Sequence, residues 1–274
     1  MATVNTNVGA MVALQNLNAT NKELEIVQNR INTGLKVATA KDNGAVYAIA
    51  QNMRSDVAGL NAVQQSLDRA ISTVDVGIAA AEGISDLLIE MKEKSLAASD
   101  SSLDTASRDA LNEDFTALRD QITTMVDNAL FNGVNIIDGS VTSLAALADA
   151  DGTATITVGS ENLGLSGSII TIATTGNIGT QTDASAMIST VETSLQNLNE
   201  ALARLGTNSK KLEIHSEFIT KLSDSLTAGI GNLVDADLAV ESSRLQSLQV
   251  KQQLGVQALS IANAAPQTLL SLFG

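Results

Sequence analysis

Apolar residues recur along most of this chain at the spacing of helices that bury one narrow stripe. Ala10, Leu17, Leu24 and Ile31 stand seven residues apart, and Ala13 and Val27 follow members of that series by three. This spacing predicts a long first helix with a thin apolar seam. Gly34 is a natural stop for it. The following stretch contains Asn43-Gly44 and reads as a loop. From about Ala45 the beat restarts through Met53, Leu60, Leu67, Val74, Ala81 and Leu88. Val63, Ala70, Ile84 and Met91 fill the alternate places of the same seam, predicting a helix of roughly 50 residues, or about 75 Å. A third helix opens near Asp104, a suitable N-cap, and carries Leu111, Phe115, Leu118, Ile122 and Met125 on one face. It closes before Phe131-Asn132-Gly133.

The pattern changes in the middle. Between about Val134 and Gln181 the chain is rich in Gly, Thr, Ser and Ala, and two short runs read as strands, Thr153 to Val158 and Ile169 to Ile172. Long helices then return. Val191, Leu198, Leu205, Leu212, Ile219 and Leu226 hold the seven-residue beat, and Ile188, Leu195 and Leu202 widen that face at its start. Gly229 and Gly231 are expected to interrupt. A last helix carries Leu238, Leu245, Leu248, Leu259 and Ala262 near one stripe and is expected to end around Pro266. The fold class is therefore mainly α, a long antiparallel helical coiled-coil bundle with a small central β-hairpin region.

Composition sharpens this picture. Aromatic residues make up only 2% of the 274, with no Trp, so the core must be thin and aliphatic rather than the thick, ring-filled core of a compact enzyme. The single proline lies near the C-terminus, which favours uninterrupted helices. A formal net charge of −14 argues against nucleic acid and against an anionic membrane face as partners, since both require a basic footprint. The absence of cysteine excludes disulfides, thiolate catalysis and cysteine metal sites. The first twenty residues lack a basic start followed by an unbroken apolar run, so a conventional cleaved signal peptide is not expected. No apolar run approaches the ~20 residues of a membrane span.

Candidate chemistry is sparse, and no catalytic, cofactor-binding or metal residues are assigned. His215, the sole histidine, has only Glu213 and Glu217 beside it and reads as a polar residue next to the seam of a helix. Asp149-Ala150-Asp151-Gly152 has a superficial likeness to a calcium loop. Placing Gly152 at loop position six puts Leu147 and Val158 where acidic ligands are required, so a hairpin turn is the better reading. Asp235 and Asp237 precede the last helix, where short acids ordinarily act as caps.

The terminal stripes call for more. A thin-seamed helix pair buries little area per residue and is marginal alone. Two heptad patterns far apart in sequence must pack together, and burial against other copies of the chain would complete the outermost helices.

Specific residues join this pattern. The stretch from Arg30-Ile31-Asn32-Thr33-Gly34-Leu35-Lys36-Val37 through Ala40-Lys41-Asp42-Asn43-Gly44-Ala45 resembles the first turn of bacterial flagellins. Phe131-Asn132-Gly133-Val134, the acidic turn Val234-Asp235-Ala236-Asp237-Leu238-Ala239 and the closing Ala264-Ala265-Pro266-Gln267-Thr268-Leu269-Leu270-Ser271-Leu272-Phe273 are also similar to that family. The likeness covers roughly the first 140 and the last 90 residues.

The resemblance implies a short flagellin with D0 and D1 layers only. Residues 1–33 would be the N-terminal D0 helix, 34–233 a D1 helical bundle with a β-rich insertion at about 134–181, and 234–274 the C-terminal D0 helix. It implies a structural, non-enzymatic subunit that polymerises into the flagellar filament for swimming. The implied route is export by the flagellar type III apparatus to an extracellular filament. Implied partners are other copies of the chain, a filament cap protein, a hook–filament junction protein and a cytosolic export chaperone. Leu17, Leu24, Ile31, Leu245, Leu248, Leu259 and Leu269 are the expected terminal packing residues, and Asp42, Asn43, Asp235 and Asp237 the expected turns between layers. A junction protein shares such ends, but Phe131-Asn132-Gly133 and the closing segment fit flagellin better. The family stretch read by a vertebrate innate receptor carries arginines in an Arg-Val-Arg-Glu-Leu run. Leu88 to Leu96 lacks them, so weak or absent recognition is expected.

Overall fold

A computed structural model describes residues 6–270, with side chains through Ala264. The chain order is α1 (Val8–Thr33), α2 (Gly44–Ala98), α3 (Thr105–Asn128), β1 (Ser143–Leu147), β2 (Thr155–Gly159), α4 (Gln181–Val234) and α5 (Leu238–Leu270). Contacts divide it into two compact units. Residues up to Ser55 and from Ser225 onward form one, and Asp56–Asp224 form the other. That division falls inside α2 and α4, which each contribute to both units.

In the central unit the expected beat is the core. Leu60, Leu67, Val74, Ala81 and Leu88, with Val63, Ala70, Ile84 and Met91, are all buried on α2. Val191, Leu198, Leu205, Leu212 and Ile219 are buried on α4, and Phe115, Ile122 and Val126 on α3. Polar contacts align these helices. Asp75 accepts a hydrogen bond from Ser209 at 3.2 Å, and Lys92 pairs with Glu192 at 3.4 Å, so α2 and α4 run antiparallel. Lys94 meets Asp114 on α3 at 2.8 Å. Asp104 is the N-cap of α3, accepting from the Ser107 amide at 2.7 Å. Arg108 reaches back to the carbonyl of Ala98, left open at the end of α2, and to those of Asp100 and Leu103 in the loop that follows.

β1 and β2 form a two-stranded antiparallel hairpin, with Ala146 opposite Ile156 and Leu144 opposite Val158. Asp149 closes its turn by accepting from the amides of Thr153 at 2.8 Å and Ala154 at 3.1 Å. The hairpin tip lies against both long helices. His215 Nε2 donates to the Ala148 carbonyl at 2.9 Å. A Cβ on Gly59 would sit 2.7 Å from the Ala150 oxygen, so only glycine admits that approach.

Three expectations are corrected. The strand expected over Thr153 to Val158 is found at Thr155–Gly159, and its partner is Ser143–Leu147 and not Ile169 to Ile172. The latter run joins no sheet, because its backbone groups are shared between α4 side chains and the amides of Ser166 and Gly167, which donate to Ile172 and Ile170 at 2.8 and 3.0 Å. Ser194 accepts from the Thr171 amide at 3.0 Å, and Asn197 donates to the carbonyls of Ser168 and Ile169. The β-rich insertion expected over 134–181 therefore holds only these two five-residue strands. Second, α4 continues through Gly229 and Gly231 to Val234. Interior glycines lower helix stability by only about 1 kcal/mol each. Here they admit close neighbours, since a Cβ at Gly229 would lie 3.0 Å from the Met53 methyl and one at Gly231 2.8 Å from an Asp235 oxygen. Third, α5 does not stop around Pro266 but runs to Leu270.

Candidate assembly interface

The terminal unit is built on the pairing of α1 with α5. Gly34 ends α1 in the left-handed conformation, φ 71°, with its amide bonded to the Arg30 carbonyl. The chain then turns, and this turn is joined to the one between α4 and α5. The amides of Lys36 and Val37 donate to the Val234 carbonyl at 2.7 and 3.2 Å, and the Ala236 amide donates to Gly34 at 2.9 Å. Val37, Ala50 and Val234 are buried beneath this joint, with Leu35, Tyr47 and Leu233 packed around them.

Three of the four expected turn residues, Asp42, Asn43 and Asp237, hold backbone amides through their side chains. Asp42 accepts from the amides of Thr39 at 2.8 Å and Ala38 at 3.2 Å. These bonds, the Thr39 amide foremost, hold its carboxyl below the usual aspartate range. Asn43 accepts from the Val46 amide at 3.1 Å at the start of α2. Asp237 caps α5 through the amides of Ala239 at 2.9 Å and Val240 at 3.1 Å, and Asp235 donates its own amide to the Gly231 carbonyl at 2.8 Å.

Three polar contacts set the register of α1 on α5. Asn7 donates to the Ala262 carbonyl at 2.6 Å, Gln252 donates to Asn21 at 2.8 Å, and Arg30 pairs with Glu241 at 3.0 Å. Residue numbers fall on one helix as they rise on the other, so the pair is antiparallel. The covered positions on α5 are Glu241, Leu245, Leu248, Gln252, Gly255, Leu259 and Ala262, the alternating four–three spacing of a coiled-coil seam. Leu17, Leu24 and Ile31 are half-buried on α1, and Leu17 lies beside Gly255. Six of the seven expected packing residues thus occupy covered or half-covered positions of the α1–α5 pair. The side chain of Leu269 lies outside the described residues.

Glu241 is the one charged residue in that seam, its side chain only 7% exposed. Arg30 neutralises it and Arg244 stands 3.8 Å away, while Glu241 Oε2 and Arg30 Nε have no hydrogen-bond partner. A slip of register would leave this buried charge alone, an arrangement that is strongly destabilising.

The pairing leaves much apolar surface open. Val8, Met11, Val12 and Ile26 on α1 and Val240, Val250, Leu254 and Ile261 on α5 are exposed, Ile261 to 72%. These residues fall off the seven-residue beat that marks the seam. Their signal in the sequence is the unusual count of large aliphatic side chains on α5 outside its main stripe. Among the described residues no three His, Asp or Glu side chains gather as a metal-binding group, and no helix is long and apolar enough to cross a membrane.

Comparison with known proteins gives this arrangement its family. Residues 4–142 match the bacterial flagellin N-terminal helical region and residues 188–273 the bacterial flagellin C-terminal helical region. Flagellin FljK of Caulobacter vibrioides is 57% identical over 270 residues, with 98% of each chain covered. A flagellin of Brucella melitensis is 37% identical, covering 100% of this chain and 99% of its own. Among solved structures, a putative flagellar hook-associated protein from Vibrio parahaemolyticus shares the fold at TM-score 0.59 and 12% identity, over 71% of this chain and 100% of that one. The Bacillus cereus flagellin matches at TM-score 0.50 and 24% identity, over 56% of this chain and 88% of that one. The matched regions are the paired terminal helices and the long helices that follow them, and the chain belongs to the bacterial flagellin family, the structural subunits of the flagellar filament.

Proposed function

We propose that the chain polymerises with copies of itself through the outward faces of α1 and α5, forming the inner, D0 layer of the filament. In this reading residues 1–33 and 234–274 make D0, and 34–233 make D1. The observation that carries it is the exposed aliphatic surface on both terminal helices. A helix that is apolar on more than one side is ordinarily buried on more than one side. The α1–α5 seam supplies one of those burials, and neighbouring copies supply the rest.

The role is structural rather than catalytic, and the product is an extracellular filament that serves swimming. The flagellar type III apparatus exports the chain, a cytosolic chaperone holds it beforehand, and growth proceeds from the hook–filament junction protein under a cap protein. The joined turns at Asp42, Asn43, Asp235 and Asp237 set the angle at which the terminal helices leave the long ones. Family membership and the tight hydrogen bonding of those turns support this reading.

Seeded growth tests it. Purified chain added to short filament seeds should elongate them, while a version lacking the residues before Gly34 and after Asp237 should not. Equal growth by both would sink the reading that the terminal faces drive assembly.

A further inference from the structure

The chain contains two Asn-Gly steps, Asn43-Gly44 and Asn132-Gly133, and all four residues are exposed. A glycine after an asparagine has no Cβ to hinder approach of its main-chain nitrogen to the carboxamide carbon before it. Those two atoms are spaced to close a five-membered ring. An intramolecular attack of this kind needs only free groups and the right geometry.

The fold treats the two steps differently. At Asn43 both oxygens are committed to α2. The side chain accepts from the Val46 amide at 3.1 Å, and the carbonyl accepts from the Tyr47 amide at 2.9 Å. Gly44 is the first residue of that helix. Turning the Asn43 carboxamide toward the Gly44 nitrogen would therefore release a helix cap. Asn132 and Gly133 instead form the two-residue turn of a tight hairpin, with φ of 50° and 80°. The bonds that close this turn belong to its flanks, where Phe131 and Val134 exchange amide-to-carbonyl bonds of 3.0 Å in each direction. Among the described residues, neither the Asn132 side chain nor the Gly133 amide has a hydrogen-bond partner.

A cation stands at the same place. Arg69 and Asn132 line one cavity of about 190 Å³, together with Phe131, Val134 and Leu144. Among the described residues Arg69 has no ion-pair partner. A carboxylate formed at residue 132 would share that cavity with an unpaired guanidinium, which the present amide does not neutralise.

We propose that Asn132 is a self-modification site, deamidating through attack of the Gly133 main-chain nitrogen on Asn132 Cγ. The new N–C bond closes a succinimide and the Cγ–Nδ2 bond breaks. The displaced nitrogen leaves as ammonia, with the proton that the Gly133 amide gives up. Water then opens the ring. Opening at Cγ leaves aspartate, and opening at the main-chain carbonyl leaves isoaspartate, with one extra carbon in the backbone. Either product adds one negative charge. The first places it in the cavity that Arg69 lines. The second lengthens a turn whose two-residue length fixes the pairing of Phe131 with Val134, so those two bonds are lost.

Purified full-length chain held in mildly alkaline buffer made with ¹⁸O-water tests it. Peptide mass spectrometry that separates aspartate from isoaspartate should find ¹⁸O entering at residue 132. Loss of the amide there should be at least about fivefold faster than at Asn43, the factor that release of a helix cap implies. In urea-unfolded chain the two steps should react at similar rates. Equal rates at both steps in the folded chain would overturn the proposal, as would an amide at Asn132 that outlasts the one at Asn43. A preference for Asn132 that persists undiminished in urea would also overturn it, because the fold would then not be its cause.

Discussion

Asn7 and Ala262 are joined by a hydrogen bond of 2.6 Å from the Asn7 side-chain amide to the Ala262 carbonyl. That carbonyl stands four residues before Pro266, which has no N–H to give it. The same side chain turns its oxygen to the Ala10 amide at 3.0 Å and so caps α1. One amide group therefore starts the first helix and answers the acceptor that a proline leaves open in the last.

Replacing Asn7 by Ala removes both bonds and should destabilise the terminal unit by about 1–2 kcal/mol. Pro266→Ala returns an N–H to Ala262, so Asn7→Ala should be less damaging in that background. Amide hydrogen exchange of α1 and α5 across the four-member mutant cycle reads the coupling, and strict additivity would refute it.

Gly59→Ala should disturb the hairpin without breaking the long helices. The added methyl would meet the Ala150 backbone, and relief of such overpacking costs about 1–3 kcal/mol. Limited proteolysis at the Asp149–Gly152 turn should become faster, with helicity by circular dichroism nearly unchanged.

Acid should loosen the turns in a defined window. Asp42, Asp104 and Asp149 each have a folded-state pKa lowered from 3.8, held down chiefly by the Thr39 amide, by Ser107 and by the Thr153 hydroxyl respectively. A lowered folded-state pKa means that the stability they contribute is fully present above 3.8 and is lost as pH falls below it. Thermal melts of Asp104→Asn and Asp149→Asn should show a weaker dependence on pH in that lower range than the unmodified chain.

The stretch from Leu88 to Leu96 presents Ile89 and Leu96 outward, buries Leu88, Met91 and Ser95, and ties Lys94 to Asp114. With no arginine there, a cell line reporting vertebrate flagellin recognition should give no response at ordinary agonist doses. A normal response would show that the recognition does not depend on those arginines.

The long helices were legible because each position of their beat is decided within its own helix, and the residues from Leu60 to Leu88 are buried as their spacing requires. The Ile169–Ile172 run was not, since its backbone is divided between the turn amides of Ser166 and Gly167 and the side chains of Ser194 and Asn197, more than twenty residues downstream. α5 shows a different limit. Its large aliphatic residues lie on several sides, and which side meets α1 depends on Glu241 finding Arg30, a pairing 211 residues apart in sequence. The expected packing residues accordingly mark the seam inside the chain, and the surface it leaves open emerged only once that seam was filled.

The two joined turns link residues near 35 with residues near 235, and the seam of α1 is completed by the final helix. The terminal unit therefore joins helices whose ion pair, Arg30 with Glu241, spans 211 residues of sequence. Without α5, α1 has no surface to bury its stripe against, and most of a helix's stability in a protein comes from such packing. Loss of α5 would therefore loosen α1 as well. Order in α1 is thus conditional on a helix that lies far downstream of it.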